Sequence, residues 1–206
     1  MLRLKFASVL FAALFGFSNP SSDSSNFSLG DKAPLSDYEM KDVASGDMVS
    51  LSEIAGENGL LVIFSCNTCP FVLAWDDQYP KLGKMTAENG IGMVLVNSNE
   101  AKRKGDDSMK AMQEHYRKAG YNTPYVIDKS HKLADAFGAQ TTPHVYLFNS
   151  NMELVYRGSI NDKFEERDKT AKSFYLEDAL RNMLKDETIN PADTREIGCS
   201  IKRLKS

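Results

Sequence analysis

Cys66 and Cys69, with Asn67 and Thr68 between them, are the residues of this chain best able to do chemistry. They end a short aliphatic run, Leu60 to Ser65, which reads as a strand buried on both faces. Beyond them Phe71, Val72, Trp75, Tyr79, Leu82 and Met85 recur at helical spacing, with Pro80 as a kink rather than a stop. A cysteine at a strand-to-helix turn lies near unpaired amides and the positive end of the helix, which lower a thiol pKa. Cys66 is therefore expected to attack disulfides as a thiolate. Cys69, one turn further in and less exposed, would displace the mixed disulfide by forming Cys66–Cys69.

Two other uses of the pair are open. A zinc site needs about four N or S ligands, but there is no second CxxC, and His115, His131 and His144 are scattered. Only His144 lies beside another candidate segment. A purely structural disulfide over a three-residue step would close too small a loop to add much stability. Neither a metal nor an organic cofactor is expected, because the cysteine pair itself carries the redox equivalent.

The elements that position the pair follow from pattern. Tyr38, Met40 and Val43, the turn Ser45-Gly46-Asp47, and Met48, Val49 and Leu51 suggest a hairpin, after which Ser52 can cap a short helix. Ile91 to Val96 reads as a second buried strand, so Leu60 to Val96 forms a right-handed strand–helix–strand unit of a parallel sheet. Asp106, Asp107 and Ser108 are capping candidates for a helix bearing Met109, Met112 and Tyr116 and ending at Gly120. Pro124 to Asp128 is a strand, and Ser130 caps a helix that Gly138 stops. Val145 to Phe148 and Leu154 to Arg157 pair as antiparallel strands around Asn149-Ser150-Asn151, and a last helix runs near Ser173 to Lys185.

At the start, Arg3 and Lys5 precede an apolar stretch, Phe6 to Phe17, too short to span a bilayer and followed by small residues near Ser18. Residues 1–18 read as a cleavable export signal, with an uncleaved anchor as the competing reading. Residues 19–28 read as a flexible Ser- and Asn-rich leader, 29–187 as one domain, and 188–206 as a tail carrying Cys199. Loss of Arg3 and Lys5 takes the 25 basic residues to 23 against 28 acidic ones. That mildly acidic balance argues against nucleic acid or a stable contact with an anionic membrane. Three cysteines in an exported chain suit redox chemistry better than a disulfide-stapled scaffold. The destination, periplasm or extracellular space, is left open.

Taken together, Gly30-Asp-Lys-Ala-Pro34, Cys66-Asn-Thr-Cys69-Pro70, Val96-Asn-Ser-Asn99, Thr142-Pro143, Leu154-Val-Tyr-Arg-Gly158 and Gly198-Cys-Ser-Ile-Lys202 resemble the thioredoxin-like superfamily, in its redoxin or peroxiredoxin-like (AhpC/TSA-type) branch. The resemblance implies an α/β thioredoxin fold: a central mixed sheet flanked by helices, with a redoxin-type N-terminal hairpin and an inserted helix and strand. It also implies that Pro143 is cis and faces the CxxC, which leaves the Thr142 backbone free to pair with an extended substrate. Asn67 and Thr68 would tune the redox poise, and His144 is either a packing residue or a charge that tunes the thiol.

The sequence also departs from the family pattern. Ser65 and Asn67-Thr68 replace the usual tryptophan and Gly-Pro, and Leu60 stands where thioredoxins often carry a buried aspartate; Glu57 and Glu100 are the candidate substitutes, but each reads first as a surface carboxylate. The peroxidatic Pro-x-x-x-Thr/Ser-x-x-Cys signature is missing, and Arg157 is the one arginine in a position to suggest it. The resulting expectation is a thiol–disulfide oxidoreductase acting on protein or small-molecule disulfides and thiols, served by a recycling reductase. One alternative is a thiol peroxidase in which Cys69 or Cys199 condenses with a Cys66 sulfenic acid. Another is a binding protein with an inert disulfide. Cys199 is either a resolving thiol or an idle one.

Overall fold

The computed structural model describes residues 27–164 and 170–204. The expected export signal at 1–18 and most of the leader lie outside the described residues. Phe27, at the end of that leader, packs against Phe137, Tyr146 and Phe148, with ring centroids 5.3, 6.2 and 6.2 Å away.

A mixed sheet of seven strands runs through the molecule. Its strands are β1 (Met40–Asp42), β2 (Met48–Val49), β3 (Gly59–Phe64), β4 (Ile91–Asn97), β5 (Tyr125–Ile127), β7 (His144–Phe148) and β8 (Leu154–Gly158), in the order β2-β1-β5-β4-β3-β7-β8. β3 pairs in parallel with β4 and antiparallel with β7, so the strand leading to Cys66 is hydrogen-bonded along both edges. All six of its residues are buried. A separate two-stranded ribbon joins β6 (Thr141–Thr142) to β9 (Cys199–Ser200).

Side-chain alternation along the strands divides the core in two. On one face Leu61, Ile63, Met93, Leu95, Val145 and Leu147 pack with α2 (Pro70–Trp75), α3 (Tyr79–Glu88), α4 (Met109–Ala119) and α6 (Tyr175–Leu184). Cys66 and Cys69 belong to this face. On the other, Leu60, Val62, Phe64, Val94 and Tyr146 pack with α1 (Leu51–Ile54) and α5 (Lys132–Phe137). The central mixed sheet with helices on both faces, the N-terminal hairpin and the helix and strand inserted between β4 and β7 all match the expected architecture. Among the described residues, no helix is long and apolar enough to cross a membrane.

Several local expectations are corrected. Ser50, not Ser52, caps α1: its hydroxyl accepts from the Glu53 amide while the Glu53 carboxylate accepts from the Ser50 amide, a reciprocal capping box. The Asp128 carboxylate, not Ser130, takes the amides of Leu133 and Ala134 at the start of α5, at 2.9 and 3.0 Å. The helical pattern after Cys69 is two helices separated by a 3₁₀ turn at Asp76–Gln78, and Pro80 sits in the first turn of α3, where its missing N–H is not needed. Residues 188–204, read as a tail, fold back onto the domain through β9.

Gly59 opens β3 at φ +130°, and a Cβ there would lie 2.1 Å from the Phe148 carbonyl oxygen. Relief requires separating β3 from β7. Gly59→Ala is expected to cost about 3 kcal/mol or more, lowering the melting temperature by roughly 10 °C. A circular-dichroism melt within a degree of the wild type would contradict this account of the β3–β7 contact.

Candidate active site

The site forms where β3 ends and the ribbon strand β6 passes beside it. Cys69 is the N-cap of α2, with Pro70 opening the helix, and Cys66 precedes it in the turn. Both thiols are free and buried, with relative exposures of 2% for Cys66 and 4% for Cys69. Cys66 was expected to be the exposed member of the pair; Thr68 and Pro70 are the exposed residues of the turn instead.

Thr142 ties the two thiols together. Its Oγ1 lies 3.2 Å from Cys66 Sγ, and its carbonyl oxygen lies 3.1 Å from Cys69 Sγ. The following peptide bond, Thr142–Pro143, is cis, and both residues are buried.

The thiols also face each other. The Cys66 S–H donates toward Cys69, holding Cys69 down at about 5, with smaller help from the Cys199 thiol and the Val72 and Cys199 amides. Cys66 is pushed well above the ordinary thiol range, first because it is the donor to Cys69 and then by burial. Its contact with Thr142 opposes the rise, while the negative charge of Asp107 adds to it. The reduced pair therefore shares one proton, and Cys69, at the N-cap of α2, has the Val72 amide beside its sulfur.

A direct consequence is testable. Ultraviolet thiolate absorbance of the reduced protein should persist as pH falls from neutral and disappear only through about 5. Cys69→Ser should remove that transition. A wild-type titration with its lowest midpoint near the ordinary thiol value would refute the shared-proton arrangement.

Asn67 is locked beneath the pair rather than presented to a substrate. Its amide donates to Asp107 Oδ1 at 2.9 Å, its Nδ2 donates to the Asp106 carbonyl at 2.8 Å, and its Oδ1 accepts from the Tyr125 hydroxyl at 3.0 Å. Asp107 is fully buried and also accepts from Asn97 and Asn99 side-chain amides at 2.8 and 3.0 Å. Arg103 donates to the Asp107 carbonyl at 2.7 Å and to the Asn97 carbonyl at 2.8 Å. Neither Glu57 nor Glu100 fills this place. Glu57 is exposed, and Glu100 accepts from the Ser130 amide and faces Arg103. The carboxylate that acts on Cys66 is Asp107.

His144 is not brought to the thiols. It stacks on Tyr146 with ring centroids 4.6 Å apart, and Tyr146 belongs to the opposite face of the sheet from Val145 and the cysteines. Burial, then the nearby Arg157 charge, lower its pKa to about 4, so it is neutral at physiological pH and supplies no charge to tune a thiol. Arg157 is likewise engaged elsewhere, donating to Asp193 at 2.7 and 2.9 Å and to the Phe27 carbonyl at 2.8 Å.

Cys199, on β9, lies directly opposite Thr142 in the ribbon, and its thiol interacts with that of Cys69. Burial, followed by that contact, raises it to about 11. Among the described residues, no group of three or more Cys, His, Asp and Glu side chains has metal-holding geometry.

Relatives share this arrangement of chain. A thiol-disulfide oxidoreductase, ResA, from Halalkalibacterium halodurans is 26% identical over 172 residues, covering 80% of this chain and 90% of the relative. The crystal structure of an uncharacterized conserved protein from Geobacillus kaustophilus superposes with a TM-score of 0.81 at 30% identity, covering 89% of this chain and 96% of that one. A putative thiol:disulfide interchange protein, DsbE, from Chlorobium tepidum shares the fold, with a TM-score of 0.58 at 17% identity over 77% of this chain and 99% of its own. A family model described as AhpC/TSA matches residues 29–157, and with a thioredoxin-like sheet carrying two cysteines at the end of its central strand, the chain belongs to the AhpC/TSA family.

Proposed function

We propose that this protein is a thiol–disulfide oxidoreductase in which Cys66 attacks an external disulfide and Cys69 resolves the product. The observation that carries the reading is the Cys66–Cys69 contact, one proton shared between two thiols that are both held against Thr142. As Cys66 Sγ bonds to a substrate sulfur, its proton passes to the Cys69 thiolate, and the other substrate sulfur leaves as a thiolate. Cys69 then gives that proton up, bonds to Cys66 Sγ and expels the second substrate thiol. The protein ends as a Cys66–Cys69 disulfide, two electrons having passed to the substrate, and a recycling reductase returns them.

Thr142 borders both thiols, but it is buried and, contrary to the expectation of a free backbone, its edge is paired with β9. The substrate is therefore assigned to approach from the exposed Thr68 and Pro70 side. Thr68, exposed between the cysteines, is the part of the motif that a substrate meets first. Asn67 acts through the Asp107 network instead. The name of the ResA relative supports the reaction class, and export through residues 1–18 would place the chain where disulfides persist.

The test mixes the reduced protein with hydrogen peroxide or with a small disulfide and follows Trp75 fluorescence. Trp75 is buried in the same core as both cysteines and donates to Asn161 Oδ1 at 2.9 Å. The disulfide is expected to react far faster. A large excess rate for peroxide would replace this reading with the thiol-peroxidase one, and no reaction with either would leave a binding protein.

A further inference from the structure

The backbone edge of Thr141–Thr142, which an extended substrate would use, is occupied by the chain's own C-terminal segment. β9 runs antiparallel to it, with Thr142 opposite Cys199 and Thr141 opposite Ser200, and the Ile201 amide continues the pairing to the Gln140 carbonyl at 2.9 Å. The segment is fastened beyond this point as well. Lys202 donates its amide to Asn99 Oδ1 at 2.7 Å and accepts from the Ala101 amide at 2.9 Å, while Ile201 is buried in the core.

The fit is close at one residue. A Cβ on Gly198 would lie 2.3 Å from the Thr142 carbonyl oxygen and 2.6 Å from its carbon, so only glycine lets the chain settle at this depth. That carbonyl is the one that lies beside Cys69 Sγ. Gly198 thus sets Cys199 down beside Cys69, which is left between two thiols.

We propose that Cys199 is a third redox thiol that trades partners with the Cys66–Cys69 disulfide. The Cys199 thiolate attacks Cys69 Sγ, the Cys69–Cys199 bond forms as the Cys66–Cys69 bond breaks, and Cys66 leaves as a thiolate that takes up the proton lost by Cys199. The exchange is an isomerisation within one chain, so it needs no outside oxidant or reductant. It moves the disulfide from Cys66 to the less buried Cys199 and returns Cys66 to its reduced state while β9 is tied across the Thr142 edge. This inference rests on the dithiol reading.

The test equilibrates full-length protein in a glutathione redox buffer, quenches it with acid and maps disulfides by mass spectrometry without reduction. Trypsin leaves Cys66 and Cys69 on one peptide and Cys199 on another, because the intervening sequence contains Lys and Arg only outside the motif. The wild type is expected to yield both the internally bridged peptide and the peptide linked to Cys199. Cys66→Ser should give the Cys69–Cys199 link as its dominant oxidised form, independent of protein concentration, and Gly198→Val should lower the yield of that link several-fold. Recovery of Cys69 joined to glutathione with Cys199 free in Cys66→Ser would overturn the proposal. Cys199→Ser separates the two readings: if it still forms Cys66–Cys69, the dithiol reading stands whatever Cys199 does, and if it does not, that reading fails.

Discussion

Cys69→Ser is expected to attack a disulfide once and stop with the substrate bound to Cys66, whereas Cys66→Ser should lose multiple turnover. Both effects follow from the shared proton. In the proposed mechanism, Cys69 receives the Cys66 proton during the attack. A serine at 69 can neither accept that proton near neutral pH nor form the second disulfide. The first step should therefore slow by about 100-fold at neutral pH, in line with the loss of a positioned base. It should recover as pH rises, because Cys66 must then ionise unaided. Removing Cys69 also removes the largest influence holding the Cys66 pKa up, so that recovery begins below the value implied for Cys66 in the intact pair. Intact-mass measurement of the adduct and a stopped-flow pH profile check both statements. Adduct on Cys66→Ser, with continued turnover by Cys69→Ser, would exchange the two roles.

How far the site was legible depends on how far apart its parts lie in sequence. The strand ending at Cys66 could be read because an unbroken aliphatic run with turn signals on either side leaves few alternatives. The β7–β8 hairpin was equally plain around Asn149-Ser150-Asn151. Asp107 was not. Beside Asp106 and Ser108 it looks like one of three interchangeable caps, and Ser108 does cap α4 by accepting from the Ala111 amide. The usable signal was at a distance: Asn97 ends a buried strand, Asn99 follows it, and buried amides need partners.

Other misplacements have similar causes. His144 is next to Pro143 in sequence, but adjacent residues of a strand point to opposite faces, and Val145 rather than His144 shares the cysteines' side. Arg103 sits between the exposed Lys102 and Lys104 in a run that reads as solvated, yet it turns inward to cap carbonyls of the Asp107 network. β9 has two residues and no periodicity, so its pairing with Thr142 is visible only in three dimensions. The Gly-Cys-Ser-Ile-Lys segment was recognisable as a motif, but the reason for its glycine was not.

Asp107→Asn should be the most damaging single change outside the cysteines themselves. Asp107 is fully buried, and its two oxygens accept from the Asn67 amide and from the Nδ2 groups of Asn97 and Asn99. An asparagine replaces one acceptor with an NH₂ group, which would then face another donor. It also removes one of the two nearest charges compensating the partly buried Arg103, leaving Glu100 as the other. Breaking a buried, hydrogen-bonded charge costs about 3–5 kcal/mol, or roughly a 10 °C fall in melting temperature for a domain of this size. Asp106→Asn, on an exposed neighbour whose backbone carbonyl alone enters the network, is expected to melt within about 2 °C of the wild type.

The same substitution has a chemical readout that a loss of stability alone would not produce. The Asp107 charge raises the Cys66 pKa, so neutralising it should let Cys66 ionise at lower pH. In the Cys69→Ser background, where Cys66 must ionise unaided, adding Asp107→Asn should move the pH profile of the first attack to lower values. An unchanged profile in protein that is still folded would confine Asp107 to holding the turn in place and remove it from the electrostatics of the thiol pair.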